Sequence, residues 1–125
     1  MKQLKTIIKS TLIIDYEEIG NTNLINIFSE NGLLLDIVAS DHDYLNRINQ
    51  KKYDCVMINS DLADNLAVKI IDTVKGYYPW IIVVILLQNP DYEKIFNFVR
   101  NGADDFIMKP FSWTDMEKVL KFYYY

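Results

Sequence analysis

Scarcity is the first guide to this chain. It holds one cysteine, Cys55, so no disulfide can form within it. Cys55 lies inside an apolar run and reads as a small buried hydrophobe, not as a reactive thiol. There are four glycines, and none follows a strand in the pattern that cradles a phosphate, which removes the glycine-rich nucleotide loops. The single histidine, His42, stands in a polar loop with no nucleophile or ligand cluster beside it and reads as a surface residue. No apolar stretch approaches the roughly 18 residues of a helical membrane span. Ile7-Ile8 is too short for the apolar core of a secretion signal. A cytoplasmic protein without membrane contact is expected. Basic clusters are missing too. The net charge is −4 and the pI near 4.9, and Lys2, Lys5 and Lys9 are spread out, which argues against a nucleic-acid surface.

What is present fits one globular domain. Half of the 125 residues are apolar and about a quarter are charged, enough for one well-buried core. The expected layout is a single domain, 1–125, with a core from about residue 11 and residues 1–10 as an N-terminal extension. The organising stretch is Tyr53-Asp54-Cys55-Val56-Met57-Ile58-Asn59-Ser60-Asp61. Four apolar residues in a row, Cys55 to Ile58, read as a strand buried on both faces inside a parallel sheet. Ligands of open α/β sheets bind beyond the carboxyl ends of such strands, so Asn59 to Asp61 are expected at the floor of any pocket.

Leu12-Ile13-Ile14 is a second buried run, ending in Asp15-Tyr16-Glu17-Glu18. Asn21 to Asn31 has helical spacing, with Leu24, Ile27 and Phe28 on one face and Asn31-Gly32 as the stop. Leu33 to Val38 is a third strand. Ser40 with Asp43 resembles a capping box before a short helix carrying Leu45 and Ile48. Val68, Ile70, Ile71 and Val74 mark a helix ending at Gly76, and Trp80 to Leu87, rich in β-branched residues, is a strand. Asn89-Pro90 predicts an N-cap and a proline at the first helical position. Ile95, Phe98 and Val99 form that helix's apolar side, and Asn101-Gly102 closes it. Phe106-Ile107-Met108 is a short strand. Ser112 with Asp115 predicts a capping box ahead of a helix striped by Met116, Val119, Leu120 and Tyr123. Strands alternating with helices imply right-handed crossovers and a parallel sheet covered on both faces, a three-layer α/β sandwich. The polar segments 15–18 and 59–61 should then meet at its carboxyl edge.

Gly102-Ala103-Asp104-Asp105-Phe106-Ile107-Met108-Lys109-Pro110-Phe111 resembles the signature at the fifth strand of bacterial response-regulator receiver domains, the two-component signalling modules. The resemblance runs from about Leu12 to the C-terminus. It takes in Tyr53-Asp54 before the third strand, the acidic cluster after the first, and the lengths of all five β/α units. It implies a doubly wound (βα)5 flavodoxin-like fold with a parallel five-stranded sheet in the order 2-1-3-4-5. It also implies a chemistry, in which a histidine-kinase donor gives a phosphoryl group to an aspartate ending the third strand. An acidic pair after the first strand holds Mg²⁺, which neutralises charge during the transfer. A hydroxyl ending the fourth strand and a lysine ending the fifth contact the phosphoryl group.

Residue by residue, the match fails at the reacting centre. Asn59 holds the phosphoacceptor-equivalent position, and a neutral amide is not a useful nucleophile. Asp15 matches the first acidic residue, but Tyr16 replaces the second and Glu17 is one place too far along. Leu87 stands where Thr or Ser is expected, while Lys109 is retained and Phe106 matches the aromatic switch position. Ala63 and Ala67 replace the usual Pro and Gly after the acceptor. The expectation is an atypical receiver, a pseudo-receiver, whose degenerate pocket holds Asp15, Tyr16, Glu17, Asp61, Leu87 and Lys109. Asn59 there hydrogen-bonds Lys109 and Asp15. No catalytic residue and no cofactor, Mg²⁺ included, are expected. Asp15 and Asp61 are weak metal candidates, and a solvated acidic rim is the preferred reading. Asp104-Asp105 looks like a metal pair but reads as turn and capping chemistry. The alternative is a phosphorylatable receiver that uses a non-standard carboxylate, Asp61 or Asp15, with a divalent metal.

Receivers dimerise or bind partners through the face made by the fourth helix, fifth strand and fifth helix. The C-terminal third of this chain is rich in aromatics, and Phe106, Phe96, Trp113 and Phe122 make up the expected switch and interaction face. The expected function is a phosphorylation-independent, non-enzymatic protein-interaction module of signal transduction. It would bind a protein partner or a second copy, and no nucleic acid.

Overall fold

The apolar run at the centre of the sequence does become a central strand, buried at all five of its positions, Cys55–Asn59. The computed structural model describes residues 10–14, 21–38, 43–59, 64–109 and 112–123. Among these the order is β1 (Ser10–Ile14), α1 (Asn21–Glu30), β2 (Leu34–Val38), α2 (Asp43–Gln50), β3 (Cys55–Asn59), α3 (Asp64–Tyr77), β4 (Ile82–Leu87), α4 (Tyr92–Arg100), β5 (Asp105–Met108) and α5 (Trp113–Tyr123). The strands form one parallel sheet in the order β2-β1-β3-β4-β5. This is the expected doubly wound, flavodoxin-like arrangement.

Because side chains alternate along a strand, each central strand feeds two cores. Leu12, Ile14, Val56, Ile58, Val83, Ile85 and Leu87 pack against α2, α3 and α4 through Tyr44, Ile48, Ile70, Ile71, Val74 and Phe98. Ile13, Cys55, Met57, Val84 and Leu86 pack on the other side against Phe28 of α1 and Met116 and Leu120 of α5. Each large apolar side chain buried this way contributes about 1.5–3 kcal/mol, which is why unbroken apolar runs settle at the sheet's centre. The outer strands β2 and β5 are only partly buried.

Several local expectations hold. Gly32 (φ 73°) and Gly102 (φ 118°) take the left-handed backbone that ends α1 and α4. Ser112 and Asp115 cap α5 reciprocally: the Asp115 N–H donates to Ser112 Oγ at 3.3 Å and the Ser112 N–H to Asp115 Oδ2 at 3.0 Å. Others are corrected. The N-cap of α4 is Asp91, not Asn89, because the Asp91 carboxylate accepts from the Lys94 N–H at 3.1 Å; Pro90 stays outside the helix. On the same helix Phe98 is buried, but Val99 is 49% exposed. The buried pair of α2 is Tyr44 and Ile48, four residues apart, and Leu45 turns outward. The strand predicted from Trp80 begins at Ile82, with Trp80 exposed in the preceding turn. Helix α3 runs one residue past Gly76, and β1 starts at Ser10, within the expected extension. Ser40 and His42, and the side chains of Leu24 and Tyr123, lie outside the described residues.

Candidate functional site

At the carboxyl edge, β3 ends in Asn59, β4 in Leu87 and β5 in Met108, followed by Lys109. The Lys109 N–H donates to the Leu87 carbonyl at 2.7 Å, extending the β4–β5 ladder by one residue. From there Lys109 Nζ reaches across β4 and donates to Asn59 Oδ1 at 3.0 Å. Asn59 is 2% exposed and Leu87 1%. An ammonium has only donors to offer, so the amide oxygen must face Lys109, and the Nδ2 amino group is the remaining end of the side chain. The expected Asn59–Lys109 contact is thus present, and Leu87 at the end of β4 is a buried hydrocarbon. Asp15, Tyr16, Glu17, Asp61 and Ala63 lie outside the described residues, as do Pro110 and Phe111.

On α4, β5 and α5 the exposed apolar residues are Tyr92, Phe96, Val99, Phe106 and Phe122. Tyr92, Phe96 and Val99 are spaced i, i+4, i+7 and share one side of α4. That spacing was present in the sequence but passed over, because Val99 was placed on the buried stripe. The Arg100 guanidinium lies 5.8 Å from the centroid of the Phe96 ring. Trp113 does not join this surface. Its ring is half-buried and meets Phe28 of α1 edge-on at 6.2 Å, so it belongs to the α1–α5 core.

Residues 11–121 match the response regulator receiver domain. The chain belongs to that family. It is 22% identical over 106 residues to the two-component response regulator PhoP of Pseudomonas aeruginosa, covering 85% of this chain and 47% of that protein. It is also 22% identical over 79 residues to the luminescence regulatory protein LuxO of Vibrio campbellii, covering 63% of this chain and 17% of that one. The chain therefore spans about half the length of the first relative and a smaller part of the second. Among solved structures it resembles a two-component response regulator from Clostridium difficile, with a TM-score of 0.83 at 20% identity over 92% of this chain and 94% of that chain. It also resembles the beryllofluoride-activated NtrC4 receiver domain dimer, with a TM-score of 0.81 at 22% identity over 91% and 94%. At these identities the structural likeness establishes the fold. No helix among the described residues is long and apolar enough to cross a membrane.

The opposite, amino edge of this receiver carries a carboxylate network that sequence reasoning missed. Asp54, one residue before β3, donates its backbone N–H to the Ser10 carbonyl at 2.9 Å and accepts the Ser10 N–H on Oδ2 at 3.1 Å. Asp104, one residue before β5, does the same for β4: its N–H donates to the Val83 carbonyl, and Oδ2 accepts the Val83 N–H at 2.8 Å. Asp104 Oδ2 also accepts from Lys75 Nζ at 2.9 Å. Lys75 spends its other protons on the carbonyls of Ile81 and Pro79. Asp104 is thus an inter-strand clamp rather than a turn cap. The available signal was positional: each aspartate stands immediately before an apolar strand.

Asp36 of β2 collects Lys51 Nζ at 2.8 Å and the Tyr53 hydroxyl at 2.7 Å. Burial alone would raise the Asp36 carboxyl, but those hydrogen bonds and the charges of Lys51 and Arg47 outweigh it and hold it below the usual range. Burial, reinforced by the bond to Asp36, pushes the Tyr53 phenol up to about 12. Burial also raises the Cys55 thiol, with the charges of Asp104 and Asp54 adding to it, in keeping with an inert core residue.

Proposed function

We propose that this receiver is a pseudo-receiver, a phosphorylation-independent and non-enzymatic interaction module of two-component signalling that acts in the cytoplasm. The observation that carries the proposal is the 3.0 Å hydrogen bond from Lys109 Nζ to Asn59 Oδ1. It turns the amide oxygen toward Lys109, and a neutral amide is a poor nucleophile toward phosphorus and brings no charge to a hard cation. This donor set does not fit a Mg²⁺-assisted phosphoryl acceptor. Leu87 supports the same reading, because no hydroxyl ends β4 to hold a phosphoryl oxygen. The crevice lined by Ile85, Leu87, Ile95, Phe98 and Phe106 has no room for a water molecule, so the Phe106 ring stays at the surface, 40% exposed.

The output surface is then the exposed stripe of Phe96, Phe106 and Phe122, extended by Tyr92 and Val99. Its occupant is a protein, either a partner or a second copy. The dimeric state of the NtrC4 receiver domain makes self-association the first case to test.

The test is intact mass and thermal melting with excess Mg²⁺ and acetyl phosphate, for the wild type and for Asn59→Asp. Neither protein is expected to gain mass or melting temperature, because Tyr16 and Leu87 persist in the variant. One added phosphoryl unit on the wild type would overturn the proposal in favour of Asp61 or Asp15 as acceptor with a divalent metal.

A further inference from the structure

An opening that the receiver chemistry does not use lies at the amino edge of the sheet. β3 separates it from Asn59 by its own length, roughly 13 Å at about 3.3 Å per residue. β3 and β4 are paired, with Cys55 opposite Ile82, so the turns leading into them, 51–54 and 78–81, lie side by side. Between them is a cleft of about 270 Å³ lined by residues 48–53 and by Tyr78, Trp80 and Ile81. Its floor is apolar, since Ile48, Tyr53 and Ile81 are each at most 5% exposed. Its walls are braced. The Tyr78 hydroxyl donates to Asn49 Oδ1, tying the end of α2 to the turn before β4. The Trp80 ring stands edge-on to Tyr78, with centroids 5.6 Å apart and planes at 85°. Trp80 is nonetheless 58% exposed, so an indole packed edge-on against Tyr78 presents open surface beside the buried Ile48 and Ile81.

The polar groups at the rim favour one sign of charge. Lys51 is neutralised by Asp36. Lys52 forms no hydrogen bond or ion pair among the described residues, in a chain of net −4. Asn49 accepts through its oxygen, which turns its Nδ2 donor away from Tyr78. The last carbonyls of α2 account for lysines standing at this helix end, but they do not account for the open indole. We propose that this cleft binds a small aromatic carboxylate, its ring against Trp80 and the floor, its carboxylate held by Lys52 Nζ and Asn49 Nδ2. A charge-assisted bond of this kind carries roughly tenfold in affinity or more.

The experiment uses 2-naphthoate, the uncharged 2-naphthamide and the cationic 2-naphthylmethylamine on the whole chain, read by the indole N–H resonances in proton–nitrogen correlation spectra. Trp113→Phe assigns the Trp80 resonance, as the chain has two tryptophans. Naphthoate is expected to shift Trp80 saturably and leave Trp113 in place, and Lys52→Gln, a surface change that preserves the spectrum, to weaken it about tenfold. The proposal fails if Trp80 does not saturate, if the amide or the amine binds as tightly as the acid, or if Lys52→Gln binds unchanged. The cleft shares no residue with the Asn59 pocket, so acetyl phosphate uptake and naphthoate binding fail or succeed independently.

Discussion

At the amino edge of the sheet two carboxylates, Asp54 and Asp104, gather donors from neighbouring strands and helices, and Asp36 gathers its own from the middle of β2. At the carboxyl edge, where the receiver family places its acidic centre, β3 ends in a neutral amide that accepts from Lys109. Among the described residues, the carboxylates at the amino edge clamp strands, while β3 ends at the carboxyl edge in an amide. The lesson is that a receiver scaffold can be stabilised at one edge independently of the residues that stand at the other, because the two are separated by the length of the strands. Function has to be argued at the site, not from the fold.

The sharpest way to break this comparison is Asp104→Ala. It removes one acceptor shared by Val83 N–H and Lys75 Nζ, and about 2–3 kcal/mol of stability should go with it. Urea unfolding should show a lower midpoint at unchanged slope. Asn59→Leu, at the other edge, should cost only about 1 kcal/mol in the same measurement, since the half-exposed Lys109 can turn to water. A larger cost than that of Asp104→Ala would reverse the assignment of roles.

The pH profile refines the carboxylate side of the comparison. The folded carboxyl of Asp36 lies below its unfolded value of about 3.9, so its contribution is present above that pH and is lost as pH falls through the folded value. Asp36→Asn should flatten this acid limb and cost about 1 kcal/mol near neutrality, modest because the site is partly solvated. Tyr53, raised to about 12, contributes fully below pH 10 and loses that contribution as pH rises through about 12. Tyr53→Phe should remove this alkaline limb. The smallest stability change belongs to Phe96→Ser combined with Phe122→Ser, within about 0.5 kcal/mol because both rings are exposed. Sedimentation should nevertheless show loss of self-association or of partner binding.

Much of the fold was legible in the sequence. β1, β3 and β4 announced themselves as unbroken apolar runs, because strands buried on both faces need no alternation, and Gly32 and Gly102 announced helix ends through the backbone they alone take up easily. In the candidate pocket the contact between Asn59 and Lys109 was legible as well. The interaction face was read less well. Trp113 and Val99 exchanged places with expectation, since a helical period says which residues share a side but not which side a neighbouring helix will cover.

The sequence by itself determined the chemistry of the third strand's end, since an amide at position 59 is not a nucleophile whatever surrounds it. It also determined the order of strands and helices, which follows from the lengths and spacing of apolar runs. Only the tertiary structure decided which polar groups meet at a distance: Asp104 with Lys75, 29 residues away, and Asp36 with Tyr53, 17 away. Such partners are brought together by the register of a parallel sheet, a property of how strands pair and not of any local run of residues.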